Sequence, residues 1–207
     1  MARDLSSIVK RSRREGYALH PKAHKALVKR STLPEQGASD AGRRRPKTSQ
    51  YALQLREKQK VKRLYGLLER QFAKMMNEAN RSKGQSGITL LQYLERRLDN
   101  TIYRAGFASS RRAARQLVTH GHFMLNGRRT DIPSIRVVVG DAIALRDHGK
   151  NTEYFKQIDV LSPAPPAIPA WLSVDRKKFA VTVTGLPTRD DAEPDLKEQL
   201  IVEYYSR

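Results

Sequence analysis

Apolar residues return at helical spacing in two long stretches of the chain. Between Val61 and Ala79 an apolar side chain occurs every three or four residues, and the same spacing holds from Leu91 to Ile102. A helix that buries one face in a core has this period. We therefore predict one long helix over residues 51–80 and a shorter amphipathic helix along the second stretch.

A third helix follows after a short turn. Gly106 ends the preceding helix, because glycine adopts the left-handed cap conformation at little cost. Ser109 or Ser110 then offers a hydroxyl oxygen to the first backbone N–H groups of the new helix. We expect this helix to bury Ala114, Leu117 and Val118 and to form an αα-hairpin with the helix before it.

Short strands surround two turn signals after this hairpin. Asn126-Gly127 joins Phe123–Leu125 to a return strand that begins at Arg128, since both central residues of such a turn need positive φ. A second strand pair is predicted from Val137–Val139 and Ile143–Leu145. Helices and short strands together indicate the α+β fold class.

The last quarter of the chain has weaker patterns. A Pro-rich stretch, SPAPPAIP at 162–169, predicts an extended spacer that ends at Trp171. Phe179–Val183 alternates like a strand, and Leu196–Tyr205 suits a last helix or a strand-like tail. We expect residues 163–207 to pack back on the long helix. The segment and the helix each have an apolar stripe that neither could bury alone.

Basic residues outnumber acidic residues almost two to one. Lys plus Arg number 40 against 21 for Asp plus Glu, a net charge of +19. Residues 1–150 hold 33 basic and 12 acidic residues, whereas residues 151–207 hold 7 and 9. Such a charge repels itself in a free globule and suits a polyanionic partner. The first three quarters are therefore expected to contact that partner.

Several classes of protein and site are disfavoured. No apolar run reaches 18 residues, so no membrane span is expected, and the N-terminus lacks the apolar region of a secretory signal. The absence of cysteine excludes thiolate zinc sites and fits a cytosolic protein. The pairs His20/His24 and His120/His122 stand in no HExxH frame, so we expect no metal and no cofactor.

The first 50 residues contain many cations and little to bury. No periodic pattern runs through them. They predict either a disordered basic tail or a basic arm that orders on nucleic acid, and we favour the arm. The cations of this arm that we expect to contact nucleic acid are Lys10, Arg13, Arg14, Arg43, Arg44, Arg45 and Lys47.

Three arginines crowd the start of the third helix. Cations are unfavourable at a helix N-terminus, and Arg111 and Arg115 form a like-charge pair four residues apart. A local rule broken in this way is typical of a functional site. We predict that the missing ingredient is an anion, because one phosphate chain could satisfy Arg111, Arg112 and Arg115 together.

The first half of the long helix is also densely basic. Cations outnumber acidic residues around Leu55–Arg63, whereas solvated helix faces normally mix both signs. We therefore favour phosphate contact over a merely solvated face. Gly66 is expected in the interior of this helix, where glycine costs about 1 kcal/mol relative to alanine.

No catalytic constellation is visible. The trio Arg97-Leu98-Asp99 also occurs in pseudouridine synthases, where the aspartate is the nucleophile, but the flanking residues here differ. We interpret Asp99 as a surface residue that pairs with neighbouring arginines. Two alternatives to a structural RNA-binding protein stay open. One is an RNA-modifying enzyme or tRNA-stability factor, and the other is a DNA-binding helix-turn-helix protein, which normally needs a dimer.

Longer blocks of sequence resemble a known family. YALQLREKQKVKRLYGLLERQF, LERRLDNTIYRAGFASSRRAARQLVTHGHFMLNG, PAWL and LIVEYYSR follow one another in this order. They resemble the bacterial small-subunit (30S) ribosomal protein four family over nearly the whole chain. The second block resembles the RNA-binding domain named after that family, and the first and last blocks narrow the resemblance to the ribosomal protein.

The resemblance implies a structural constituent of the ribosome rather than an enzyme. It implies a primary rRNA-binding protein that binds the 16S rRNA 5′ domain, nucleates assembly of the 30S subunit body and contributes to translational accuracy. The implied location is cytoplasmic, in the small ribosomal subunit. The implied partners are 16S ribosomal RNA, ribosomal proteins five, three and twelve, and the messenger RNA of its own operon, with no membrane and no DNA.

The resemblance also implies a domain plan and further contacts. Residues 1–50 would be the basic arm, residues 51–93 a mainly helical rRNA-binding domain completed by 163–207, and residues 94–162 a small domain of an αα-hairpin and a β-hairpin. Some relatives hold zinc with N-terminal cysteines, which this chain lacks. The implied RNA contacts beyond the arm are Gln54, Arg56, Lys58, Lys60, Lys62, Arg63, Arg111, Arg112, Arg115, Gln116, His120, His122 and Asn126.

Overall fold

The structure, a computed structural model, describes residues 6–29 and 49–206. These residues fall into two compact units, of which the first combines the described residues up to Gly87 with those from Asp195 onward and the second is Ile88–Pro194. Helices and a small antiparallel sheet confirm the predicted α+β class. No helix within the described ranges has the length and apolarity that crossing a membrane requires.

The helices are short, and several are single turns. In chain order they are α1 (Ile8–Glu15), α2 (His24–Lys29), α3 (Gln50–Leu64), α4 (Glu69–Arg81), α5 (Ser86–Glu95), α6 (Leu98–Arg104), α7 (Arg111–Thr119), α8 (Asp147–Lys150), α9 (Glu153–Lys156), α10 (Ile158–Leu161) and α11 (Glu198–Tyr205). A 3₁₀ turn, Pro21–Ala23, directly precedes α2. The strands are β1 (Phe123–Leu125), β2 (Arg128–Thr130), β3 (Ala142–Leu145), β4 (Leu172–Asp175) and β5 (Ala180–Val183).

The predicted long helix is divided into α3 and α4. Gly66 has a φ of 65°, and the backbone N–H of Leu67 donates to the carbonyl of Lys62 at 2.9 Å. These are features of a helix that ends on a left-handed glycine. The prediction of one helix over 51–80 with an interior Gly66 is therefore wrong, because the apolar spacing continues across a break that the glycine creates.

Helices α3, α4 and α11 supply the core of the first unit. Val61, Phe72 and Ile201 are fully buried there. Helix α11 packs along α3, and the side-chain amide of Gln54 donates to a carboxylate oxygen of Glu203 at 2.7 Å. Of the two structures that the sequence left open for this segment, the helix is the one observed, and its predicted packing on the long helix is confirmed.

Among the described residues, five strands form one antiparallel sheet in the order β2-β1-β3-β5-β4. Strand β5 pairs with β3, with Val181 opposite Ile143. The predicted strand near 179–183 is confirmed, but it belongs to the sheet of the second unit. The expectation that residues 163–194 complete the helical domain is therefore wrong. The alternation in β5 buries Val181 and Val183 in the core of the second unit instead.

The β1–β2 connection confirms the predicted hairpin. Asn126 and Gly127 have φ values of 50° and 77°, as a two-residue turn with two left-handed positions requires. Leu125 then lies opposite Arg128. This register agrees with the return strand that the sequence predicts to begin at Arg128.

The second predicted helix is divided into α5 and α6. The backbone N–H of Leu98 donates to the carbonyl of Ile135 at 2.8 Å, and that of Val137 donates to the carbonyl of Arg96 at 2.8 Å. These bonds hold the loop before β3 against the break between the helices. Val137–Val139 consequently forms no strand, and that prediction is wrong.

Aromatic side chains fill the core of the second unit. The ring of Phe107 stacks on Phe123 with centroids 6.3 Å apart, and Phe155 meets Phe123 edge-on at 6.0 Å. Trp171 is buried at the end of the Pro-rich segment, as the sequence predicts. Helix α7 packs on this core through Val118, which leaves the opposite side of α7 facing solvent.

Candidate nucleic-acid interface

One face of α7 is exposed and polar. The hydroxyl of Ser110 accepts from the backbone N–H of Ala113 at 3.2 Å, so this serine caps the helix. Arg112, Gln116 and His120 are exposed and lie four positions apart, which places them in one row along the helix. We call these three residues the α7 stripe, and all three belong to the predicted RNA contacts.

Arg111 does not belong to this row. Its Nε donates to the side-chain oxygen of Asn100 at 2.8 Å, and its Nη2 donates to Glu193 Oε1 at 3.0 Å. The guanidinium also lies over the ring of Tyr103, 4.7 Å from its centroid, and its side chain is only 12% exposed. Arg111 therefore anchors the start of α7 to the rest of the second unit.

Arg115 is held in a similar way. Its Nε donates to Asp99 Oδ2 at 2.7 Å, and Asp99 also accepts two bonds from Arg97 at 3.1 and 3.0 Å. Asp99 is 3% exposed, so the interpretation of it as a surface residue is wrong, while its pairing with arginines is confirmed. The sequence predicted that an external anion compensates these arginines. In the structure, the side chains of Glu193 and Asp99 compensate Arg111 and Arg115.

A third acid, Glu95, belongs to this polar layer. Glu95 is fully buried, and its carboxylate accepts two bonds from Arg104 at 2.9 and 2.8 Å and one from the Asn100 amide at 2.7 Å. Asn100 in turn accepts from Arg111. Buried polar groups that are fully bonded in this way fix side-chain positions, so α6 and α7 have a defined geometry.

Arg112 is the most exposed of the three arginines at the start of α7. Burial lowers the pKa of its guanidinium, and the positive charge of Arg115 lowers it further. An arginine stays charged under these conditions, so its charge is less well stabilised than in water. A negative ligand at this point would relieve that cost.

The histidines after α7 lie close together. The rings of His120 and His122 are 6.1 Å apart, and His122 meets Phe155 edge-on at 5.9 Å. Burial lowers the pKa of His122, and nearby His120, His148 and Arg146 lower it further, so its neutral form is favoured. Within the described residues no group of three or more His, Asp or Glu could hold a metal ion.

The side chain of the exposed residue Asn126 forms hydrogen bonds within the second unit. Its amide nitrogen donates to Asp141 Oδ1 at 2.8 Å, and its amide oxygen accepts from the backbone N–H of Ala142 at 2.9 Å. Both ends of the side chain are therefore used to join the hairpin tip to β3. Its predicted contact with RNA would have to share these bonds.

The predicted basic face of α3 is largely neutralised within the first unit. Lys58 and Lys62 donate to the two carboxylate oxygens of Glu69 at 2.7 and 2.6 Å, and Lys58 is 4% exposed. Burial opposes ionisation of Glu69, but bonds from Lys58, Lys62 and Tyr205 prevail and lower its pKa to about 2. Lys60 pairs with Glu57 at 3.1 Å.

Arg63 and Arg56 share one buried acid. Both pair with Glu15, Arg56 at 3.6 Å, and the carboxylate of Glu15 has no exposed surface. Burial raises the pKa of Glu15, although the two arginines act against this rise. Arg56, with a side chain that is 44% exposed, is the most accessible of these α3 cations, whereas the predicted contact Gln54 is buried.

The cations of the N-terminal arm are only partly described. Lys10 and Arg14 are exposed on α1, and Arg13 is half-buried. Four predicted contacts of the arm lie outside the described residues and stay untested: Arg43, Arg44, Arg45 and Lys47.

Two exposed sets of cations were not among the predicted contacts. Arg70, Lys74 and Arg81 lie on the outer side of α4, at spacings of four and seven residues that were visible in the sequence. Arg129 of β2 is exposed, and its guanidinium lies against Gly121 at the end of α7, where a Cβ atom would come within 2.8 Å of Nε. Charge density along the chain pointed instead to α3, whose cations are paired internally.

Known proteins similar to this chain carry ribosomal names. The family described as Ribosomal protein S4/S9 N-terminal domain matches residues 3–95, and the S4 domain matches residues 96–143. The small ribosomal subunit protein uS4A of Symbiobacterium thermophilum is 47% identical over 213 residues, and uS4 of Herpetosiphon aurantiacus is 47% identical over 214. The uS4 protein of Chloroflexus aurantiacus is 48% identical over 208 residues. Each similarity covers 100% of this chain and 100% of the relative.

Proposed function

We propose, from the premise that the chain belongs to the small ribosomal subunit protein uS4 family, that it binds 16S ribosomal RNA directly. As a member of that family it is a structural constituent of the ribosome and not an enzyme. In the proposal it is a primary rRNA-binding protein of the 5′ domain, nucleates assembly of the 30S subunit body and contributes to translational accuracy.

The α7 stripe is the observation that supports direct RNA binding most strongly. Arg112 offers a cation to phosphate, and Gln116 and His120 offer hydrogen-bonding groups suited to ribose hydroxyls and base edges. Arg129 extends the row beyond the end of the helix at Gly121. The buried acids behind α7 hold the helix in place, so the exposed row is ordered before RNA arrives.

The other predicted contacts differ in how accessible their side chains are to RNA. Arg111 and Arg115 support the stripe from behind, since their guanidinium groups bond to acids of the same unit. Lys58, Lys60, Lys62 and Arg63 are paired with acids of the first unit and would contact RNA only through what remains exposed. The arm cations Lys10 and Arg14 are exposed and are retained as contacts.

Further partners belong to the same proposal. The family resemblance suggests contacts with ribosomal proteins five, three and twelve, and binding to the messenger RNA of the protein's own operon. In this proposal the chain resides in the small ribosomal subunit in the cytoplasm. It needs no cofactor, no membrane and no DNA.

A binding titration tests the central claim. The purified protein is titrated with a fluorescent 5′-domain fragment of 16S rRNA, with duplex DNA and an unrelated RNA of equal length as competitors. We expect the fragment to bind most tightly. The variant Arg112→Ala/Gln116→Ala/His120→Ala should bind at least about tenfold more weakly, a loss of about 1.4 kcal/mol, with a salt slope shallower by about 1.

A composition-matched variant is the control. His148→Ala/Lys156→Ala/Gln157→Ala removes the same kinds of side chain from exposed positions elsewhere in the second unit and should bind like the wild type. Equal losses in both variants would contradict the role of the α7 stripe. Equal affinity of the wild type for the fragment and for duplex DNA would contradict the proposed function itself.

A further inference from the structure

The outer side of α4 carries three cations that the described residues leave unneutralised. Arg70, Lys74 and Arg81 are exposed, and none of them forms an ion pair with another described residue. The two acids of the same helix are placed elsewhere, because Glu69 is bound by Lys58 and Lys62 and Glu78 is half-buried. The outer side of α4 is therefore a row of like charges.

This row differs from the cations on α3 in the same unit. Lys58, Lys62 and Arg63 are at most 17% exposed, and each has a carboxylate partner within 4 Å. Like charges along one helix face cost stability unless something compensates them. On α3 the compensation is internal, whereas on α4 it must come from outside the described chain.

The chemistry of α4 favours a phosphate chain over a protein partner. Between the cations lie exposed amide side chains, Gln71, Asn77 and Asn80, which can bond to phosphate or ribose oxygens. None of the large exposed apolar residues of the described chain belongs to α4. Protein interfaces bury aromatic side chains together with arginine at the centre of the contact, and this face carries arginine without any exposed aromatic or large apolar side chain beside it.

The spacing of the cations fits an extended anion. Arg81 lies eleven positions after Arg70, about 16 Å along the helix at 1.5 Å per residue, with Lys74 between them. On the opposite side Phe72, Met76 and Ala79 are fully buried, so the helix cannot rotate to hide its charges. A single small anion could bridge only Arg70 and Lys74, which lie one helical turn apart, whereas consecutive phosphates can meet all three cations.

We infer that the outer side of α4 is a second contact with the phosphate backbone of ribosomal RNA, carried by Arg70, Lys74 and Arg81 and independent of the α7 stripe. The inference rests on the proposed function, since it assumes that the chain binds ribosomal RNA. The proposed contact of α4 depends on the negative charge of the RNA backbone and not on the nucleotide sequence.

The salt dependence of RNA affinity tests this contact. Each phosphate contact contributes about 0.7–0.9 to the slope of log affinity against log salt. For Arg70→Ala/Lys74→Ala/Arg81→Ala, titrated with the 5′-domain fragment, we expect a slope shallower by about 2–3. The ratio of affinities at 50 and 200 mM salt should then shrink by about 16–64-fold. Because all three residues are exposed and alanine favours helix, the circular dichroism spectrum should stay that of the wild type and the melting temperature should not fall below it.

A charge-matched variant separates position from net charge. Lys156→Ala/Lys177→Ala/Lys178→Ala removes three exposed cations from the second unit and should keep the wild-type slope. An unchanged slope in the α4 variant, or the same reduction in both variants, would overturn the α4 contact while leaving the proposed function intact. If the wild type itself failed to bind the fragment, the proposed function would fail, which is a different result from the first two.

Discussion

Adjacent arginines of α7 have different roles. Arg111 bonds to Asn100 and Glu193 and lies over Tyr103, whereas Arg112 is exposed. The sequence could show that both sit where a helix disfavours cations, and so indicated a site. It could not show that Arg111 is paired with Glu193, because the two residues are 82 positions apart in the sequence. Only the folded chain brings them together.

Single substitutions at these two positions should separate stability from binding. Arg111→Ala removes hydrogen bonds to a charged group and leaves Glu193 partly unpaired, so we expect the free energy of unfolding to fall by about 2–3 kcal/mol. Arg112→Ala removes an exposed side chain and should change it by less than about 0.5 kcal/mol. Urea denaturation of both variants measures the difference.

The RNA affinity should rank the two variants in the opposite order. Measured well below the melting temperature of Arg111→Ala, its salt slope should equal that of the wild type, whereas Arg112→Ala should lower the slope by about 1. If Arg111→Ala lowered the slope and left the stability unchanged, Arg111 would be an RNA contact and the anchoring role would be wrong.

At the scale of the element, the sequence was most informative where the cause is local. The cap at Ser110 and the turn at Asn126-Gly127 depend on residues within four positions of each other, and both are observed. The break between α5 and α6 depends on a bond from Leu98 to Ile135, which no local pattern shows. The break at Gly66 was visible as a glycine, but the apolar period on both sides favoured one continuous helix.

Glu69 joins three elements of the first unit. Its carboxylate accepts from Lys58 and Lys62 of α3 and from the hydroxyl of Tyr205 of α11 at 2.9 Å. These bonds outweigh the effect of burial and lower its pKa from 4.5 to about 2. A carboxylate whose pKa is lower in the folded protein stabilises the fold above its unfolded pKa, and this contribution is lost as pH falls through the folded pKa.

The variant Glu69→Gln should therefore be less stable than the wild type at pH 6. The side chain is 46% exposed, so solvent screening reduces the expected difference to about 1 kcal/mol. The gap should narrow as the pH falls from about 4.5 towards 2, because the wild type then loses the same charge. Guanidinium denaturation across this pH range measures this difference in the free energy of unfolding.

The same charge change at exposed Glu153 is the control and should leave no pH-dependent gap. A gap that stays constant down to pH 2.5 would show that the charge of Glu69 is not what joins these elements.

At the scale of the whole molecule, composition predicted the kind of partner better than it predicted the contacts. A net charge of +19 indicated a polyanion, and the family is ribosomal. The same excess misdirected the choice of residues, because Glu15, Glu57 and Glu69 neutralise much of α3. Whether a cation can contact RNA depends on whether the fold places an acid beside it, and the composition of the chain does not show this.

The unpaired part of this charge should make salt act in opposite directions on folding and on binding. Like charges repel one another in the free protein, and salt screens exposed charges far more than buried pairs. Raising the salt concentration from about 50 to 200 mM should therefore raise the melting temperature of the free protein, by about 2–4 °C for each kcal/mol gained. The same change should weaken binding to the 16S rRNA fragment about 10³–10⁵-fold if 6–10 phosphates are contacted. The variant Lys156→Ala/Lys177→Ala/Lys178→Ala carries three fewer charges, so its melting temperature should depend less on salt. A melting temperature that falls with salt in the wild type would mean that internal ion pairs, and not the excess of positive charge, dominate the electrostatics of the free protein.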